Sequence, residues 1–73
     1  MGFTITAAEL MAFLRSKGYT IRTGRARHGT KAVKGGHKIP IPIHRGTMAD
    51  GTVRSILAQA GYTTSDVIEW RHQ

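Results

Sequence analysis

The sequence predicts a small α+β domain with the order α-β-β-β-α and a short C-terminal helix. Three observations carry that reading. Two amphipathic helical stretches lie at opposite ends of the chain, each stopped by a glycine. A Gly35-Gly36 pair sits between two extended stretches, where a tight hairpin turn belongs. The run from His37 to His44 alternates isoleucine with proline. A three-stranded antiparallel sheet with both long helices on its isoleucine face would bury the core and leave the other face open.

Each element has a local cause. Thr6-Ala7-Ala8-Glu9 is a capping-box pattern, in which the Thr6 hydroxyl accepts from a first-turn N–H and Glu9 reaches back. A helix should follow to about Lys17, with Leu10, Phe13 and Leu14 on one face and Gly18 as its stop. Tyr19 to Arg22 reads as a short strand, and Gly29 to Lys34 as a weaker second one. In the third, His37 to His44, Ile39, Ile41 and Ile43 point to one face. Pro40 and Pro42 have no N–H, so this must be an edge strand pairing through its isoleucine positions. A connector of residues 45–49 leads to a second helix opened by Asp50, with Val53, Ile56, Leu57 and Ala60 inward and Gly61 as its stop. Thr63-Thr64-Ser65-Asp66 starts a C-terminal helical turn, whose Trp70 is expected to pack on the second helix.

Composition narrows the function. The chain has 73 residues, so residues 1–73 are expected to form a single domain. It has no cysteine, which excludes disulfide scaffolds, thiolate metal sites and thiol catalysis. Without a signal peptide or a long apolar run, the expectation is a soluble cytoplasmic protein without a membrane partner. The formal net charge is +7. No acid lies between Glu9 and Asp50, an interval that holds nine of the eleven Lys and Arg residues. One-sign charge on a small domain is the footprint of a polyanion partner, although a merely solvated face has the same composition. Arg22, Arg25, Arg27, Lys31, Lys34, Lys38 and Arg45 are the expected RNA-binding residues. The four acids are few and mostly lie at helix starts, so no metal and no cofactor is expected.

From Ile41 onward the residues carry a resemblance. Ile41-Pro42-Ile43-His44-Arg45-Gly46, followed by Gly51-Thr52-Val53-Arg54-Ser55-Ile56-Leu57-Ala58-Gln59-Ala60-Gly61, is similar to the HicA family of bacterial toxins. That family has a strand ending in Pro-x-His and a helix reading Gly-Thr-Leu-Arg-Ser-Ile-Leu-x-Gln-Ala-Gly. Leu14 to Tyr19 resembles its Leu-x-x-x-Gly-aromatic start. The resemblance implies a double-stranded-RNA-binding-domain-like fold. It further implies an mRNA interferase, that is, an endoribonuclease acting on mRNA and silenced by a HicB-type antitoxin protein. Family members use one histidine in a Gly-Ser-x-His motif. The nearest match here is Gly24-Arg25-Ala26-Arg27-His28, one residue longer, which makes His28 the expected catalytic residue. Gly35-Gly36-His37 is a rival match, and makes His37 the alternative.

The chemistry suits a lone histidine. The 2′-hydroxyl of RNA is a built-in nucleophile that needs a base, an acid for the leaving 5′-oxygen, and positive charge near the phosphorus. Imidazole fills either proton role near neutrality, and flanking cations at Arg25, Arg27 and Lys31 favour its neutral form. A non-catalytic RNA-binding module on the same fold is the competing reading. An adaptor for an acidic protein is a third.

Overall fold

Thr6 starts the first helix as expected: its Oγ1 accepts from the Glu9 N–H at 3.2 Å. The computed structural model describes residues 3–23, 29–42 and 46–73. Helix α1 runs Ala7–Ser16, β1 Thr20–Arg22, β2 Lys31–Lys34, β3 His37–Pro40, α2 Asp50–Ala60 and α3 Thr64–Arg71. The sheet is antiparallel with the order β1-β2-β3, which leaves β3 on an edge. This is the expected α-β-β-β-α arrangement with one more helix. Among the described residues, no helix is long and apolar enough to cross a membrane.

Both long helices end in the same way. Gly18 has φ +95° and Gly61 φ +86°, a region other residues enter only with strain. Around Gly18, its own N–H bonds the Arg15 carbonyl and the Tyr19 N–H bonds the Leu14 carbonyl. Around Gly61, the corresponding bonds reach Ala58 and Leu57 from Gly61 and Tyr62. Each is a Schellman stop, and each turns the following tyrosine back over the helix it ends.

The third strand is shorter than expected. Its ladder with β2 closes at Lys31↔Pro40, because β2 begins at Lys31 rather than Gly29. One more bond, Ile41 N–H to the Thr30 carbonyl at 3.0 Å, prolongs the pairing. Ile39 and Ile41 therefore aim their amides at β2, and Pro40 and Pro42 present the outer edge, as their missing N–H groups require. Ile43 and His44 lie outside the described residues.

The core lies between the sheet and the helices. Leu10, Phe13 and Leu14 of α1, Ala32 and Ile39 of the sheet, Val53, Ile56 and Leu57 of α2, and Val67 of α3 are all buried. Phe13 is at its centre. The rings of Tyr62 and Trp70 meet it edge to face, with centroids 5.4 Å and 5.6 Å away. Trp70 thus packs on Phe13 of α1. The short C-terminal helix expected here, α3, runs eight residues and buries Val67. Its capping box is complete: Thr63 Oγ1 accepts from the Asp66 N–H, and the Asp66 carboxylate accepts from the Thr63 N–H at 2.8 Å.

Glu9 does not complete its own box. Its carboxylate instead accepts two hydrogen bonds from Arg71, at 2.9 Å from Nε and 2.7 Å from Nη2. Arg71 Nη2 also donates to the Thr4 carbonyl, and the guanidinium lies 4.9 Å from the Phe3 ring centroid. This bidentate pair locks α3 to the start of α1. A second long-range tie joins the two helix starts: Thr6 and Thr47 form an antiparallel bridge, and the Met48 N–H bonds the Ile5 carbonyl at 2.8 Å.

Phe13→Ala should remove about 3–5 kcal/mol, a large share of the stability of a domain this small. Urea unfolding followed by circular dichroism should show the midpoint collapse. Arg71→Ala, which unties only a surface clamp, should keep a cooperative transition at lower urea.

Candidate functional site

The sheet sorts its side chains by the two-residue period. The register Ile21↔Ala32↔Ile39 faces the helices. The neighbouring rows, Thr20↔Val33↔Lys38 and Arg22↔Lys31↔Pro40, face away from them. Arg22, Lys31 and Lys38 therefore stand on one open face, one from each strand. All three are exposed. With Thr23, Gly29 and Val33 they line a shallow hollow.

Arg22 sits directly opposite Lys31 across the β1–β2 ladder. Like charges in that position oppose pairing, by up to about 1 kcal/mol. Among the described residues no carboxylate relieves them: Glu9 is held by Arg71, Asp50 pairs with Arg54 at 2.9 Å, Asp66 is used in its capping box, and Glu69 is on α3 with no ion pair. A face that tolerates unpaired repulsion in the free protein is ready for an external anion.

Most of the other described cations are occupied, Arg15 on α1 excepted. Lys34 falls on the helix side of the sheet, because it shares the register of Ala32. Its Nζ donates to the Lys17 carbonyl at 2.9 Å and lies over the Tyr19 ring. There it satisfies the negative end of α1. Lys17 lies over the rings of Phe13 and Tyr62, at 5.5 Å and 5.8 Å. Arg54 is half of the exposed i,i+4 pair with Asp50 on α2. The structure therefore brings together Arg22, Lys31 and Lys38 of the expected set and sets Lys34 apart. Arg25, Arg27 and Arg45 lie outside the described residues.

The two histidines of interest differ. His37 is paired with Lys34 at the end of the hairpin and also faces the helices. Its Nε2 lies 2.8 Å from the Gln59 carbonyl at the end of α2, and since a carbonyl only accepts, Nε2 carries the proton. Lys34 and His37 thus form a clip, one cross-strand pair holding the last turns of both long helices. His37 is on the opposite side of the sheet from Arg22, Lys31 and Lys38. His28 lies outside the described residues, and its chain neighbour Gly29 borders the hollow.

Sequence reasoning missed this clip, although a signal was present. Ala32 is inward, so Lys34, two positions on, had to be inward as well. It also missed the Glu9–Arg71 clamp, whose partners are 62 positions apart with no local pattern to join them.

A family model described as the HicA toxin of bacterial toxin–antitoxin systems matches residues 7–62. The match spans α1, the whole sheet and α2 with its stop, and ends before α3. No curated protein matches the chain.

If the clip is structural, His37→Ala should lower stability by no more than about 1 kcal/mol. The loss should appear as a small drop in the thermal midpoint, with the charge on the open face untouched. A loss several times larger would mean that the pair also secures the sheet against the helices.

Proposed function

Since the chain belongs to the HicA toxin family, and so is a toxin of a bacterial toxin–antitoxin system, we propose that it acts as a metal-independent endoribonuclease on mRNA. The observation that carries this reading is the open sheet face, on which Arg22, Lys31 and Lys38 stand without acidic partners among the described residues. Such a face holds consecutive phosphates of a polyanion and offsets the charge that builds on a reacting one.

In the proposed reaction His28 takes the proton of a ribose 2′-hydroxyl. The 2′-oxygen then attacks the adjacent phosphorus, and the bond from phosphorus to the 5′-oxygen breaks. The leaving oxygen receives a proton from the imidazolium, so the products are a 2′,3′-cyclic phosphate and a 5′-hydroxyl and the enzyme is restored. Two facts support His28 over His37. The Nε2 of His37 is committed to Gln59, and His37 lies across the sheet from the cations. A HicB-type antitoxin is the proposed inhibitor, and a partner offering carboxylates would be drawn to the same face.

One observation favours a second reading, a non-catalytic RNA-binding module. The loop Gly24-Arg25-Ala26-Arg27-His28 carries arginines where the family motif has small residues.

The decisive experiment is cleavage of end-labelled single-stranded RNA in excess EDTA. His28→Ala should slow cutting by about 10²–10⁴-fold, as loss of general acid–base catalysis does, and His37→Ala should cut at a near-normal rate. If wild type binds RNA and never cuts it, the non-catalytic module replaces the nuclease. The cations have a separate readout. Replacing Arg22, Lys31 and Lys38 by glutamine should flatten the salt dependence of RNA binding by about 2 units of log K per log salt, at about 0.7 for each lost phosphate contact.

A further inference from the structure

The sequence contains five Phe, Tyr and Trp rings. Every one is committed to the core. Phe13 and Tyr19 are buried, and Phe3, Tyr62 and Trp70 pack against the same cluster from its margin. Tyr62 and Trp70 are held edge to face on Phe13, Lys17 covers Phe13 and Tyr62, and Arg71 covers Phe3. None lies on the open sheet face, whose six positions are Thr20, Val33, Lys38, Arg22, Lys31 and Pro40.

Side-chain amides are missing from that face too. The sequence has no asparagine, and its glutamines are Gln59 and Gln73. Gln59 is on α2 and donates to the Ser55 carbonyl, and Gln73 follows α3. Proteins that grip single-stranded nucleic acid without regard to sequence stack successive bases on exposed aromatic rings, and amides read the edges of adenine. Of the groups that engage bases this face keeps chiefly its three cations, which serve phosphates equally well. The open face offers cations, a threonine hydroxyl and two small apolar side chains instead.

We propose that the open sheet face binds nucleic acid through its sugar–phosphate backbone and takes no account of the bases. The proposal rests on the RNA-binding part of the reading above and adds the chemical class of the ligand: a flexible chain of phosphodiesters. A consequence follows. DNA strands, which lack the 2′-hydroxyl, occupy the face as uncleavable competitors.

The test is competition at fixed low salt. A fluorescent 2′-O-methyl RNA oligomer, which cannot be cut, is bound to the intact protein and displaced by unlabelled strands of equal length. The competitors are oligo(dA), oligo(dC), oligo(dT) and an abasic sugar–phosphate strand with no bases. All four should compete within about threefold of one another. A single base stacked on a ring contributes about 5- to 150-fold in affinity, so base-dependent binding would leave the abasic strand far weaker. An abasic strand more than tenfold weaker than the DNA strands overturns the proposal. So does a tenfold preference among the three homopolymers. The triple glutamine variant at Arg22, Lys31 and Lys38 should weaken all four by a similar factor, and a selective loss for one strand would also overturn it.

The two readings fail separately. If the abasic strand competes and RNA is not cut, backbone binding stands and catalysis falls. If RNA is cut and the abasic strand does not compete, only the backbone proposal falls. If no strand binds at all, RNA binding and the proposal built on it are both overturned.

Discussion

A slip of one residue in the pairing of β2 would drive Lys31 into the core and carry Ala32 out to solvent. The whole molecule depends on that register. Because side chains alternate with a period of two, one choice of pairing decides at once which residues meet the helices and which meet water. Ala32 and Ile39 are opposite one another and fully buried, and their neighbours Lys31, Val33, Lys38 and Pro40 face the other way. The hydrophobic and the electrostatic faces are thus set by the same hydrogen bonds. The Lys34–His37 pair reinforces them, since a slipped hairpin would withdraw both side chains from the helix ends they satisfy.

The aromatic residues explain how so short a chain supports such a face. A domain of this size buries a modest fraction of its surface, so little apolar area is spare. Phe13, Tyr62 and Trp70 form one interlocked group, and Lys17 covers its rim without leaving water. Several basic residues therefore stabilise the fold. Apart from Arg15 on α1, the excess positive charge among the described residues divides into cations engaged with rings, carbonyls or carboxylates, and three on the sheet that are engaged with nothing in the protein. The net charge of +7 does not disclose that division.

How much could be read beforehand follows from the range of each interaction. Thr6, Gly18, Gly61 and the Thr63–Asp66 box act within a few residues, and each was legible as a local pattern. The edge position of β3 was legible because proline forbids the alternative. Local patterns do not reach Glu9 and Arg71, the bridge from Thr6 to Thr47, or the contact of Trp70 with Phe13. Glu9 shows why. Its place in a capping box is a sound local expectation, but a guanidinium from the far end of the chain competes for the carboxylate and wins it with two charge-assisted bonds. The open face was legible in part. The acid-free interval announced a polyanion site, but only the register separates Lys34 from Arg22, Lys31 and Lys38.

The prolines of β3 have a consequence for assembly. On its outer side that strand offers carbonyls and, among its described residues, the single N–H of Lys38, so a neighbouring copy laid along it would find almost no return bonds. The sheet is left with one edge, β1, at which strands of two molecules can exchange hydrogen bonds. Such a contact is isologous and complete at two copies, for the second molecule has spent its only usable edge. However concentrated this cationic toxin becomes, its sheets cannot extend edge to edge into a filament.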